Sequence, residues 1–172
     1  EVEVRTMGVS AEYYGVQGGV VNIITKSGGN RWRGTASYFL MDNRMVASNT
    51  PDEAFPFHVD YQRDFSLQTG GPIVKDRLWV NGIVQVFRSR ISGVGVDPAL
   101  APSQRKWRPF LKVNATPSRR DMVEFLVNDN NFSTPNEASR TAPPETVLVE
   151  HGHNPVIVGR WVRTLGDATL VE

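Results

Sequence analysis

Three stretches of the chain hold residue types that could do chemistry. His151-Gly152-His153, with Glu150 beside them, could bring two imidazoles to one metal ion. Side chains two apart in a strand share a face, and neutral imidazole is a common ligand. The motif falls in a long connection, however, and two ligands there do not complete a site. It is read as a solvated loop. Gly18-Gly19 and Gly28-Gly29 invite a phosphate-loop reading. Lys26-Ser27 follows Thr25 rather than Gly, and it closes a β-branched run rather than opening a helix. A phosphate loop needs the reverse on both counts. These glycines are expected to make turns. Asn128-Asp129-Asn130-Asn131 holds a single carboxylate, and no serine sits in a G-x-S-x-G elbow. The chain is therefore not expected to be an enzyme. No catalytic, cofactor-binding or metal-binding residue is assigned, and no cofactor is expected.

The elements that carry these residues are strands. The chain has 172 residues, enough for one domain of ordinary size. Nineteen Lys and Arg against 18 Asp and Glu give a net charge of +1, which argues against a nucleic-acid partner held by a strong basic field. Cysteine is absent, so disulfide scaffolds, Cys-ligated zinc and thiol catalysis fall away together. Mean hydropathy is −0.32, too polar for a helical membrane protein. No apolar run approaches the ~20 residues of a membrane-crossing helix. A membrane β-barrel stays open, because only alternate residues of its strands meet lipid. Residue 1 is Glu, and Thr169-Leu170-Val171-Glu172 reads as a strand just begun. The sequence is expected to be a piece of a longer protein.

Glu1 to Val4 alternates acid and valine, and Val20-Val21-Asn22-Ile23-Ile24-Thr25 is a β-branched run between glycine clusters. From Trp32 the pattern is regular. Trp32, Gly34, Ala36, Tyr38 and Leu40 fall on one side, and Arg33, Thr35 and Ser37 on the other. Phe65 and Leu67 alternate with Ser66 and Gln68. Leu78, Val80, Gly82, Val84 and Val86 oppose Asn81 and Gln85. Trp107, Leu111, Val113 and Ala115 oppose Arg108, Lys112 and Asn114. Val123, Phe125 and Val127 oppose Glu124 and Asn128, and Ile157, Gly159 and Trp161 oppose Arg160. Period 2 over successive segments predicts six antiparallel strands with one apolar and one polar face each.

The connections alternate strictly. Lys75-Asp76, Ser118-Arg119-Arg120-Asp121 and Gly166-Asp167-Ala168 are tight, while Asn43 to Gln62, Ile91 to Gln104 and Thr134 to Asn154 are long. The long ones hold most of the prolines. An up-and-down barrel with long loops on one rim and short turns on the other has this layout. Trp32, Phe39, Phe65, Trp79, Phe87, Trp107 and Phe110 lie near strand ends, where membrane barrels carry aromatic girdles. Aromatics also favour any strand. On pattern alone a membrane barrel and a soluble sandwich or barrel stand level. The discriminating feature is an uncharged outward band on consecutive strands, which Leu78 to Val86 and Trp107 to Ala115 supply.

Two blocks resemble a known family. Ser10-Ala11-Glu12-Tyr13-Tyr14-Gly15-Val16-Gln17-Gly18-Gly19-Val20-Val21-Asn22-Ile23-Ile24-Thr25-Lys26-Ser27-Gly28-Gly29-Asn30 is similar to the end of the plug domain of TonB-dependent outer-membrane receptors. Arg33-Gly34-Thr35-Ala36-Ser37-Tyr38 resembles their first barrel strand. Gly70-Gly71-Pro72-Ile73-Val74-Lys75-Asp76-Arg77-Leu78-Trp79 resembles the first periplasmic turn of the Oar-like branch. The spacing between the blocks also fits. Two positions depart from the family pattern: Tyr14 precedes Gly15 where Gly usually follows the first Tyr, and Val80-Asn81 stands where aromatics usually continue the strand. Both departures bear on local plug–barrel contacts.

The resemblance implies an all-β fragment of an antiparallel up-and-down transmembrane barrel, preceded by the C-terminal part of a plug. The division falls at residue 30: 1–30 plug, 31–172 the first six to seven strands. It implies a cell-outer-membrane location and uptake of a bulky, unidentified ligand into the periplasm. The implied partners are outer-membrane lipid and TonB, the latter through a segment outside this chain; no nucleic acid is expected. The polar faces would then line the lumen, with Arg33, Arg108, Lys112, Glu124 and Arg160 able to bond the plug. The alternative is a soluble β-sheet binding module, for carbohydrate for example, with its site in the long loops. A passive barrel or adhesin is a third reading, which the plug-like block disfavours. Cut from a closed barrel and made alone in water, such a sheet is expected to aggregate through its open edges and bare apolar face.

Overall fold

An alternating, β-branched chain satisfies its backbone over long extended runs only by pairing with its neighbours. The computed structural model describes residues 2–5, 19–47, 54–135, 142–143, 145–166 and 169–171. Strands β1 (Val2–Arg5) and β2 (Val20–Ile23) form a small antiparallel pair, Val2 opposite Ile23 and Arg5 opposite Val20. The larger sheet contains β3 (Arg33–Asp42), β4 (His58–Val74), β5 (Leu78–Ser92), β6 (Ser103–Ser118), β7 (Asp121–Pro135), β8 (Val149–Leu165) and β9 (Thr169–Val171). Its spatial order is its sequence order, every pair antiparallel. This is the up-and-down meander that the alternation predicts, six strands and the start of a seventh. The sheet is open, with β3 and β9 at its edges.

The strands are longer than the sequence reading made them. β4 and β8 have 17 residues each and β6 has 16, against the roughly 9–11 that cross a bilayer when tilted. The long connections shrink accordingly to residues 43–57, 93–102 and 136–148. Polar residues at the strand tops hide these extensions from a search for alternation. One consequence corrects the histidine motif: His151 and His153 lie inside β8 rather than in a loop, and His153 Nε2 stands 3.0 Å from Asp129 Oδ2 on β7. Single 3-10 turns, Asn43–Met45 and Pro98–Leu100, stiffen two of the loops. The Gly95 N–H donates to the Phe55 carbonyl at 2.7 Å, tying those two loops together.

Burial is inverted relative to a water-soluble domain. Among the described residues the buried hydrophobics are Val59, Ala101 and Val162, whereas Asn81, Ser89, Ser92 and Lys112 are buried polar groups. Phe65, Leu67, Trp107, Leu111, Phe125, Ile157 and Trp161 are all exposed. They share the side of the sheet that carries Leu78 to Val86, as the sequence analysis expects. A soluble module would need that side as its core.

The register corrects the aromatic assignment. Phe39 opposes Asp64, and Trp79, Phe87 and Phe110 fall in phase with Asn81, Gln85 and Arg108, so these four sit on the polar face. Phe87 there stacks under the Lys106 ammonium, 5.5 Å from the ring centroid. The apolar face keeps Tyr38, Phe65 and Trp107 toward the long loops, and Phe125 and Trp161 toward the turns. Nearness to a strand end does not decide which face a ring takes; parity does.

With lipid on the apolar face, Leu111→Arg is expected to destabilise the barrel by about 2–4 kcal/mol, and Asn128→Arg on the opposite face by far less. Urea unfolding in phospholipid vesicles reads both. Equal effects would reject the assignment of faces.

Candidate functional site

The polar face carries two hydrogen-bonded networks. In the first, the Gln85 amide donates to both Asp64 carboxylate oxygens at 3.0 Å, and Arg108 Nη1 donates to Gln85 Oε1 at 3.3 Å. Arg108 Nε donates onward to Asn130 Oδ1 at 2.8 Å. The chain of contacts crosses four strands, β4 to β7. It holds Arg108 by its neighbours within the sheet.

The second network reaches the segment that precedes the sheet. Lys112 Nζ stands 2.9 Å from Glu124 Oε2 and donates to Thr25 Oγ1 at 3.1 Å. Asn114 Nδ2 donates to the same Glu124 oxygen at 3.0 Å. The Lys112 side chain is only 7% exposed, so its ammonium depends on these oxygens in place of water. Asn81, 3% exposed, donates from Nδ2 to the Lys26 carbonyl at 3.1 Å and accepts from Gln68 at 3.4 Å. The departure from the family pattern at Asn81 is thus a contact between the sheet and residue 26.

Asn30 makes the most complete contact. Its Oδ1 accepts from the Trp79 indole N–H at 2.8 Å and from the Asp76 backbone N–H at 3.0 Å, and its Nδ2 donates to the Asp76 carboxylate. Asp76 holds a left-handed backbone, φ 60°, in the β4–β5 turn. That conformation is tolerated by Asp and secured here by a side chain 46 residues away. The two blocks that carry the family resemblance therefore touch through Asn30, Asp76 and Trp79.

Gly28 is needed for closeness rather than for a turn. A Cβ there would lie 2.4 Å from the Val80 carbonyl oxygen and 2.9 Å from Trp79 Cβ. Its φ is not positive, unlike those of Gly95 and Gly166, which corrects the turn reading of Gly28-Gly29. Residues 26–31 leave a cleft of about 730 Å³ between themselves and the sheet, with Lys26, Arg33, Gln68 and Asn81 in its lining.

Arg33, Arg108, Lys112, Glu124 and Arg160 all share the polar face by register, as expected. Lys112 reaches the preceding segment directly, at Thr25, while Glu124 supports Lys112. Arg108 bonds within the sheet. Sequence reasoning missed Asn30 and Trp79 as contacts, and it singled out Asn81 as bearing on local contacts without naming Lys26 as the partner. The available signal was the pair of resembling blocks, each of which supplies one half of the Asn30 contact. Residues 10–18 of the first block, with the Tyr14 departure, lie outside the described residues.

Two outcomes follow from this geometry. Glu124→Ala strands a buried ammonium and is expected to cost about 3–5 kcal/mol, most of it recovered in Lys112→Met/Glu124→Leu; urea midpoints in vesicles check both. Asn30→Ala loosens the docked segment by about 1 kcal/mol. Trypsin should then cut after Lys26 and Arg31 roughly fivefold faster, and unchanged cleavage would remove Asn30 as the anchor.

Residues 24–157 match the family described as an outer membrane beta barrel domain, well over half of the chain. No curated protein matches the chain, and no solved structure does. The match agrees with the inverted burial, the strictly sequential antiparallel sheet and the alternation of long and short connections. It places the apolar face against lipid and the polar face toward the barrel interior. The chain belongs to the outer membrane β-barrel domain family, and its sheet is part of a barrel seated in the bacterial outer membrane.

Proposed function

We propose that the chain is part of a TonB-dependent transporter of the Oar-like branch, in which residues 1–30 end a plug and residues 31–172 open the barrel. In this reading it moves a bulky ligand to the periplasm and is not an enzyme. Its partners are outer-membrane lipid, the unidentified ligand, and TonB through a segment outside this chain.

One observation carries the proposal. The segment before the first barrel strand lies across the polar face, bonded at Thr25, Lys26 and Asn30, rather than running clear of it. The end of a plug would lie against the lumen wall in this way, and hydrogen bonds to a wet wall are the kind that can exchange. The β1–β2 pair, which precedes this segment, fits a small separate unit of sheet.

The proposal is tested on the whole protein in planar bilayers. The intact protein is expected to conduct poorly, and deletion of residues 1–30 to raise single-channel conductance several-fold. In cells, formaldehyde is expected to cross-link the intact protein to TonB. An open pore in the intact protein, together with no TonB adduct, sinks the transporter reading and leaves a passive barrel.

A further inference from the structure

We propose that Arg63, Arg88 and Arg105 bind the phosphate groups of an anionic lipid packed against the outside of the barrel, in the leaflet at the long-loop rim. The register sets the three side by side, Arg63 opposite Arg88 and Arg88 opposite Arg105. They stand on the apolar face, each two residues from Phe65, Val86 or Trp107 on its own strand. All three are exposed. Directly opposed cross-strand side chains have their Cβ atoms about 4.5–5.5 Å apart, and like charges placed so repel.

No carboxylate among the described residues is bonded to this row. None of the three arginines makes an ion pair there. The row ends in Leu40 opposite Arg63 and Ser133 opposite Arg105, neither of them acidic. The Asp60 carboxylate is held by His58 and Arg90, and Asp42, the diagonal neighbour of Arg63 on this face, makes no ion pair with it. Arg63 lies 5.4 Å over the Tyr61 ring, which orients the guanidinium and leaves its charge in place.

Position identifies the missing anion. One step toward the bilayer centre the row reads Tyr38, Phe65, Val86 and Trp107, without a charge. The arginines therefore stand at headgroup level, just beyond the apolar band and on the outer wall rather than in the mouth. Cargo entering through the lumen does not meet this surface, whereas a lipid beside the barrel does. Three planar guanidinium forks suit phosphate oxygens, and the acyl chains of the same lipid can lie along Phe65, Trp107 and Leu111. The inference rests on the outer-membrane placement of the sheet and is independent of the transport proposal.

The test uses the whole barrel extracted in zwitterionic detergent, with native mass spectrometry counting bound lipid. A diphosphorylated glycolipid is expected to be retained, and its dephosphorylated form lost. The Arg63→Gln/Arg88→Gln/Arg105→Gln variant is expected to bind on the order of a hundredfold more weakly. Arg88→Gln alone, the central position, is expected to weaken binding about fivefold and serves if the triple variant does not fold. Heat-modifiable gel mobility confirms the barrel in each variant. Equal retention of the dephosphorylated lipid, or unchanged binding in Arg88→Gln, overturns the site. Displacement by millimolar inorganic phosphate would make it a free-phosphate site and equally reject the lipid.

Discussion

Lipid offers a backbone nothing to bond with. A strand with lipid on one side can satisfy its N–H and C=O groups only in the strands beside it, over the whole depth of the membrane. The other features of this chain follow from that constraint. Neighbours in sequence become neighbours in space, because a tight turn is the shortest way to supply the next partner. Connections on one rim shrink to turns such as Lys75-Asp76-Arg77, where Thr116 on β6 adds bonds to the Arg77 and Asp76 carbonyls. Side chains are then sorted by parity alone, and each strand can be apolar and polar in equal measure without any long hydrophobic run.

The same constraint turns the usual core inside out. The polar face is held mainly by hydrogen bonds rather than by buried hydrocarbon. Two outcomes are visible on it. Around Arg108 the sheet satisfies itself through Gln85, Asp64 and Asn130. Around Lys112 and Asn81 the polar groups are instead covered by residues 25–30 and take partners from them. The second arrangement makes the docked segment part of the wall's own electrostatics. Lifting it would expose an ammonium that Glu124 still holds, so the wall can survive the loss of its cover.

The two faces of each strand were legible in the sequence because period 2 is local: Leu78 to Val86 needs no knowledge of any other strand. The strand ends were not. Ser103-Gln104 and His151-Gly152-His153 are polar on both faces, and outside the membrane alternation has no work to do, so these residues read as loop. Aromatic girdles were over-assigned for the opposite reason: Trp79 and Phe87 have the right residue type and the wrong parity. The least legible feature was the Asn30 contact. Its partners lie 46 and 49 residues away, and no local pattern distinguishes an asparagine that anchors from one that turns. The family resemblance located both halves of it without indicating that they meet.

The apolar band also fixes how the strands stand in the membrane. Through the middle of the band on β3, the hydrogen-bonded row runs Ala36, Leu67, Val84, Pro109 and, by β7 and β8, Asp129 and Pro155. Through its middle on β8, the row runs Gly159, Phe125, Val113, Val80 and Gly71. The two rows are four residues apart across the five steps from β3 to β8, so the band drifts by about 0.8 residue per strand toward the turn rim. At a strand spacing of about 4.8 Å and a rise of about 3.4 Å per residue, that drift corresponds to a tilt of roughly 30°, close to the lower end of the ~35–45° of membrane barrels. The tilt resolves an apparent conflict. If membrane depth followed the hydrogen-bonded rows, Asp129 would put a carboxylate at the level of Leu67 and Val84, in hydrocarbon. With the tilt, it stands about three residues above the band middle toward the long loops, where the imidazole of His153, 65% exposed, meets it. The row of Arg63, Arg88 and Arg105 stands about two to three residues farther toward the long loops than Asp129. Charges on the outer wall thus lie on the long-loop side of the band, which the alternation of residues could not reveal and the register does.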